Sequence, residues 1–151
     1  SEATEIGNGA FLNCTSLTNL DLGDCAESLQ ILEGSLYSCG YLAKLSLPTV
    51  NFGNSYDVNN NVITYLFNDS NVRYLAEITV TKDTYIIGCA FCNARYLQTI
   101  RLEKAVTVRD YCFAWCTTLT GLYVQPSLKK YIETNKTTLL YRADNVEVYE
   151  I

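Results

Sequence analysis

Residues 6–22 read IGNGAFLNCTSLTNLDL, and residues 108–124 read VRDYCFAWCTTLTGLYV. The two stretches share a pattern: an aliphatic, a phenylalanine, a cysteine, then regularly spaced aliphatics to the end. Three more stretches between them carry it too: ILEGSLYSCGYLAKLSL at 31–47, VITYLFNDSNVRYLAEITV at 62–80 and IIGCAFCNARYLQTIRL at 86–102. The central positions Phe11, Leu36, Phe67, Phe91 and Phe113 fall at steps of 25, 31, 24 and 22 residues. Recurrence at this period is the mark of a stacked-coil solenoid, because one such unit cannot bury its apolar face alone and must pack against copies of itself.

Each phrase has two halves. The second carries aliphatics as L-x-x-L-x-L, for example Leu42, Leu45 and Leu47, or Leu97, Ile100 and Leu102. The final two of each set lie two residues apart, which is strand periodicity with both side chains facing the core. Short parallel strands from successive coils are therefore predicted to line one face. The first half, Ile6, Ala10, Phe11, Cys14 in the first copy, has spacings of three to five. Those suit a short helical or 3₁₀ turn after a second, shorter extended piece.

The chain has seven cysteines, at 14, 25, 39, 89, 92, 112 and 116. Cys14, Cys39 and Cys116 share one slot, three residues after the central residue, where the other copies place Ser70 and Ala94. A slot that takes Cys, Ser or Ala selects a small buried side chain, and these are read as inert core thiols. Cys89-x-x-Cys92 with Cys112-x-x-x-Cys116 has spacing compatible with a four-thiolate zinc site. The repeat register opposes it: Cys112 and Cys116 should point into the core, whereas Cys89 and Cys92 flank Ala90-Phe91 and should not. No metal and no cofactor is therefore assigned.

The repeats are assigned to residues 1–125. Within them the segment 48–61, PTVNFGNSYDVNNN, reads as an extended loop, either merely solvated or, as the alternative to the strand face, the carrier of the binding site. Residues 126–151 are assigned to a C-terminal cap, with a short helix opening at Pro126 and an edge strand around Val146, Val148 and Ile151. The N-terminus shows no comparable cap, and the chain has no methionine. Both suggest a piece of a longer protein whose leader or flank lies elsewhere.

Composition narrows the function classes. A chain of 151 residues at 48% hydrophobic is long enough for a substantial core. Its net charge of −5 and scattered basic residues disfavour nucleic acid. It has no apolar run long enough to insert in a membrane. The absence of histidine removes Ser-His-Asp and Cys-His constellations and the commonest acid–base group. Catalysis is not expected, and no catalytic residue is assigned.

The strand faces supply the candidate site. Asn19, Lys44, Glu77, Thr99 and Gly121 form one row between the inward aliphatics, and Asp21, Ser46, Thr79, Arg101 and Tyr123 form another. Both should point outward on the surface that solenoids commonly use for binding. The candidate binding face is Asn19, Asp21, Lys44, Ser46, Glu77, Thr79, Thr99, Arg101 and Tyr123. The 12 tyrosines add amphipathic area suited to recognition.

The phrase I-G-x-x-A-F-x-x-C-x-x-L-x-x-I-x-L resembles the BspA-type, or Treponema pallidum-type, leucine-rich repeat. Residues 6–22 match through Ile6, Gly7, Ala10, Phe11, Cys14, Leu17, Leu20 and Leu22. Residues 108–124 match through Val108, Phe113, Cys116, Leu119, Leu122 and Val124. The second copy departs with Ser35-Leu36, the third lacks glycine and cysteine, and the fourth has Ala94 in the cysteine slot. The resemblance implies an α/β-type leucine-rich-repeat solenoid of about five coils. It further implies a surface or secreted protein of a host-associated bacterium or parasitic protist, acting in adhesion. The expected partner is a host or microbial surface protein or glycan. The alternative is an accessory or spacer domain in a secreted glycan-degrading or cell-wall-acting protein.

Overall fold

The computed structural model describes residues 3–52, 55–69 and 72–151. The elements run β1 (Glu5–Ile6), β2 (Asn19–Asp21), β3 (Gln30–Ile31), β4 (Lys44–Leu47), α1 (Val62–Phe67), β5 (Glu77–Val80) and β6 (Tyr85–Ile86). They continue with β7 (Thr99–Leu102), β8 (Thr107–Val108), β9 (Gly121–Val124), α2 (Pro126–Thr134), α3 (Lys136–Leu139) and β10 (Glu147–Glu150). One six-stranded parallel sheet forms in the order β10-β9-β7-β5-β4-β2. The paired aliphatics put this sheet on the core: Leu45 and Leu47, Ile78 and Val80, Ile100 and Leu102, Leu122 and Val124 are all buried. The shorter extended pieces also pair in parallel, β1 with β3 and β6 with β8.

Turns link the short pieces to the long strands, and coil-to-coil backbone bonds fix them. The amide of Phe11 donates to Ser35 O at 2.9 Å, Leu36 to Leu66 O at 2.9 Å and Phe91 to Cys112 O at 3.0 Å. To aim these amides at the next coil, the backbone turns left-handed on either side of the central residue. Two residues before it stand Gly9, Gly34, Cys89 and Tyr111; two residues after it stand Asn13, Ser38, Asn93 and Trp115, all at positive φ. Glycine and asparagine adopt this conformation at little cost, whereas bulkier residues are strained there. In the third coil a helix replaces the short strand. Asn61 caps α1 by accepting from the amides of Ile63 and Thr64, and donates its own Nδ2 to Cys92 O at 2.7 Å.

The spine runs through the centre of the stack. Leu36, Phe67, Phe91 and Phe113 are buried, and the rings of Phe91 and Phe113 stack 6.0 Å apart at 6°. Phe11 departs from the expected pattern, being only partly buried, because the second coil covers one side of it and no described coil covers the other.

The cysteine slot does more than fill space. Cys39 Sγ donates to Phe11 O, and Cys116 Sγ to Phe91 O, both at 2.9 Å, so each thiol satisfies the carbonyl of the preceding coil's central residue. Burial pushes the Cys116 thiol up to about 12 and raises those of Cys39 and Cys112. Two expectations are corrected. Cys14, in the same slot, is exposed, since it has no preceding coil among the described residues. Cys92 is buried rather than outward, because the 48–61 segment lies over it and the Asp57 carbonyl accepts its thiol proton at 3.1 Å. Ser70 lies outside the described residues.

That segment is not the solvated loop its Asn and Gly content predicts. Thr49, Val50 and Tyr56 are buried, and the Tyr56 hydroxyl donates to Val50 O at 2.8 Å. Phe52 stacks on Tyr65 of α1 at 5.1 Å. The Asp83 carboxylate, buried beside β5, accepts the Val50 amide at 2.7 Å. Burial raises the pKa of this carboxyl, an effect opposed by that hydrogen bond. The interspersed apolar residues give the segment its own anchorage, which composition alone conceals.

At the C-terminal end, α2 begins with Pro126 in its first turn and buries Leu128 and Ile132. β10 then pairs in parallel with β9 at the sheet edge. The repeat does not stop at Val124, as the sequence suggests. Phe113 donates to Leu139 O at 3.1 Å and Trp115 to Tyr141 O at 2.7 Å, repeating the bonds between earlier coils. Leu140, Ala143 and Val146 thereby take the central, notch and first aliphatic positions of a sixth, shortened turn, all of them buried. The first half of the phrase is taken by α3, with α2 in the connection before it, which hides the recurrence.

Candidate functional site

The register assembles both outward rows. Asn19, Lys44, Glu77, Thr99 and Gly121 are successive partners across the sheet, and so are Asp21, Ser46, Thr79, Arg101 and Tyr123. Parallel pairing without a slip at any of these strands is what brings residues 102 positions apart into a single line.

The two ends of this face differ in chemistry. Near β2 and β4, Lys44 Nζ and Glu77 Oε2 pair at 3.1 Å. A surface depression of about 280 Å³ opens there among Asn19, Asp21, Lys44, Ser46, Glu77 and Thr79. Asp21 is oriented by its own chain, accepting the Gly23 amide at 2.9 Å. Gly23 is buried under Thr81, whose hydroxyl donates to Gly23 O at 2.6 Å. A Cβ at Gly23 would come within 2.6 Å of Ser46 Oγ and 2.7 Å of Thr81 Cγ2, so any side chain here would distort the depression. Near β9 and β10 the face is aromatic. The Arg101 guanidinium lies 5.1 Å from the centre of the Tyr123 ring, and Tyr123 stacks on Tyr149 at 4.9 Å and 21°. Gly121 leaves room for this: a Cβ there would meet Tyr123 Cε2 at 3.1 Å.

A model of the BspA type Leucine rich repeat region matches six copies in the chain, over residues 1–120 and 59–136. The protein belongs to the BspA-type leucine-rich repeat family. Comparison with curated proteins and with solved structures finds no match. Repeats of this family are generally non-catalytic modules of the protein-binding kind. Among the described residues, no helix is long and apolar enough to cross a membrane.

Sequence reasoning missed three features of the BspA-type stack. The first is β10, which extends both rows, placing Glu147 beside Gly121 and Tyr149 beside Tyr123. The alternation in EVYEI marked a strand but not its partner. Hydrogen bonding to Glu147 raises the Tyr149 hydroxyl pKa, fixing the ring's outer edge. The second is a tyrosine pair where the chain enters its strands: Tyr41 and Tyr74 are both more than half exposed, with centroids 5.0 Å apart. The third lies on the turns of the last coils, in the left-handed slots. There Tyr111 and Trp115 replace the glycine and asparagine of earlier BspA-type coils, at φ 58° each. A left-handed backbone costs a side-chain-bearing residue about 1–2 kcal/mol. Comparing slots between copies was the signal that could have found them.

Proposed function

We propose that this domain is a non-catalytic, extracellular or cell-surface binding module that recognises a macromolecular partner through its strand face, in an adhesive role. The arrangement of Arg101, Tyr123 and Tyr149 carries this reading. Three adjacent strands present a cation and two large rings in contact, and arginine and tyrosine are the residue types that dominate binding energy at protein interfaces. The Lys44–Glu77 end suits the polar rim that such interfaces place around their centre. Surface proteins or glycans of hosts or of neighbouring microbes are the partners this reading favours.

The test is a binding screen of the isolated domain against matrix proteins, mucins and bacterial surface proteins, repeated with Arg101→Ala/Tyr123→Ala/Tyr149→Ala. The reading requires at least one partner whose affinity falls by more than about tenfold in the triple variant. A partner bound equally well by both proteins would place the site elsewhere.

A further inference from the structure

We propose a second, independent binding site for a carboxylated sugar, built on the turns at the C-terminal end of the stack rather than on the strand-face rows. Its wall is aromatic. Tyr111 and Trp115 stack at 6.2 Å and 22°, and Tyr141 meets Trp115 edge-on at 5.4 Å and 77°. Tyr111 and Tyr141 remain exposed and Trp115 is half-buried, so the cluster is not part of the core. Beside it a groove of about 500 Å³ is lined by Lys136, Thr137, Tyr141, Arg142 and Asp144, among others. The Arg142 guanidinium lies 5.7 Å from the Tyr141 ring centre.

Three observations converge on the ligand class. Aromatic rings present apolar faces and edges on which the C–H faces of a sugar ring can lie. Lys136, Thr137 and Asp144 line the groove beside Tyr141 with donors and acceptors of both kinds, as a polyhydroxylated ligand needs. Two cations, Lys136 and Arg142, face one carboxylate, Asp144, on a chain whose net charge is −5. That local excess of positive charge selects a ligand bearing an acid group, which Arg142 can hold by a charge-assisted pair of hydrogen bonds. The backbone supports the same reading. Tyr111, Trp115 and Arg142 all stand at φ 58°, in slots that the other coils fill mostly with Gly, Asn or Ser. Strained residues of this kind concentrate where a ligand is gripped.

Trp115 is the chain's one tryptophan, so its fluorescence reports on this site alone. The experiment titrates the whole chain with galacturonic-acid, glucuronic-acid and sialic-acid oligosaccharides and with neutral galactose oligosaccharides. The expected result is a saturable change in Trp115 emission with at least one acidic series, and at least about tenfold weaker binding of the neutral one. Arg142→Gln should weaken acidic binding by about tenfold or more while circular dichroism stays unchanged. Arg101→Ala/Tyr123→Ala should leave it unaltered, which separates this site from the strand face. Tyr141→Phe keeps the ring and serves as a conservative control for folding. No response to any acidic series, equal binding of neutral sugars, or indifference to Arg142→Gln in a folded protein would each overturn the assignment.

Discussion

The first and the fifth coil carry nearly the same phrase and lead different lives. In residues 108–124, Phe113, Cys116, Leu119 and Leu122 are all fully buried. In residues 6–22 their counterparts Phe11, Leu17 and Leu20 are only partly buried and Cys14 is exposed. The local conformation is the same, down to the left-handed residues at Asn13 and Trp115. What differs is the number of neighbours: the fifth coil lies between the fourth and the sixth turn, whereas the first has one described neighbour. In a stack of this kind the phrase sets conformation and the interfaces set energy.

The largest effect should come from the spine. Phe113→Ala should cost about 3–5 kcal/mol, and Phe11→Ala about half of that or less, because the first ring has less area to lose from burial. Urea denaturation of both variants checks the ratio; equal losses would mean that the first coil is as well covered as the fifth.

A flaw between the first two coils should respond in the opposite direction. Ser35 occupies the slot that holds Ala10 and Ala90 elsewhere, and its fully buried hydroxyl has no hydrogen-bond partner among the described residues. It borders a small apolar void shared with Ile6, Phe11 and Leu20. Ser35→Ala should therefore stabilise the protein by about 1–3 kcal/mol, seen as a higher denaturation midpoint. A destabilised variant would show that the hydroxyl has a partner after all.

The notch thiols should separate next. Cys116→Ala removes a hydrogen bond to Phe91 O and should cost about 1 kcal/mol, while Cys14→Ala should be close to neutral. Reactivity follows the same division. With the Cys116 pKa raised to about 12, only about one in ten thousand of these thiols is ionised at pH 8, and burial blocks access besides. A thiol reagent at pH 8 should thus label Cys14 in the native protein and Cys116 only after unfolding, as peptide mass spectrometry would resolve.

The smallest effect belongs to the polar end of the strand face. The Lys44–Glu77 pair is exposed, so Glu77→Gln should change stability by less than about 1 kcal/mol. A larger loss in thermal denaturation would make this pair a structural element rather than part of a solvated rim.

Much of this molecule was legible in its sequence, and the reason is period. The two-residue spacing of Leu45 and Leu47, or of Ile100 and Leu102, is a property of one strand. Its repetition in five phrases set the register that aligned Lys44 with Glu77 and Arg101 with Tyr123. Burial followed less faithfully, because it depends on neighbours that no single phrase contains. Cys92 became a core thiol through a segment more than thirty residues upstream, and Cys14 stayed exposed with no preceding coil among the described residues. The sixth turn escaped notice because α3 takes the first half of its phrase, and its membership rests on backbone bonds to Leu139 and Tyr141.

The sequence by itself thus determined the coil: which residues face inward, where the strands lie and which side chains share a row. Tertiary structure decided which faces are covered, which rings meet at Tyr123 and Tyr149, and which strained aromatics gather at Trp115. Periodicity is local and survives in the order of residues, whereas packing is a relation between distant segments and exists only once the coils are stacked.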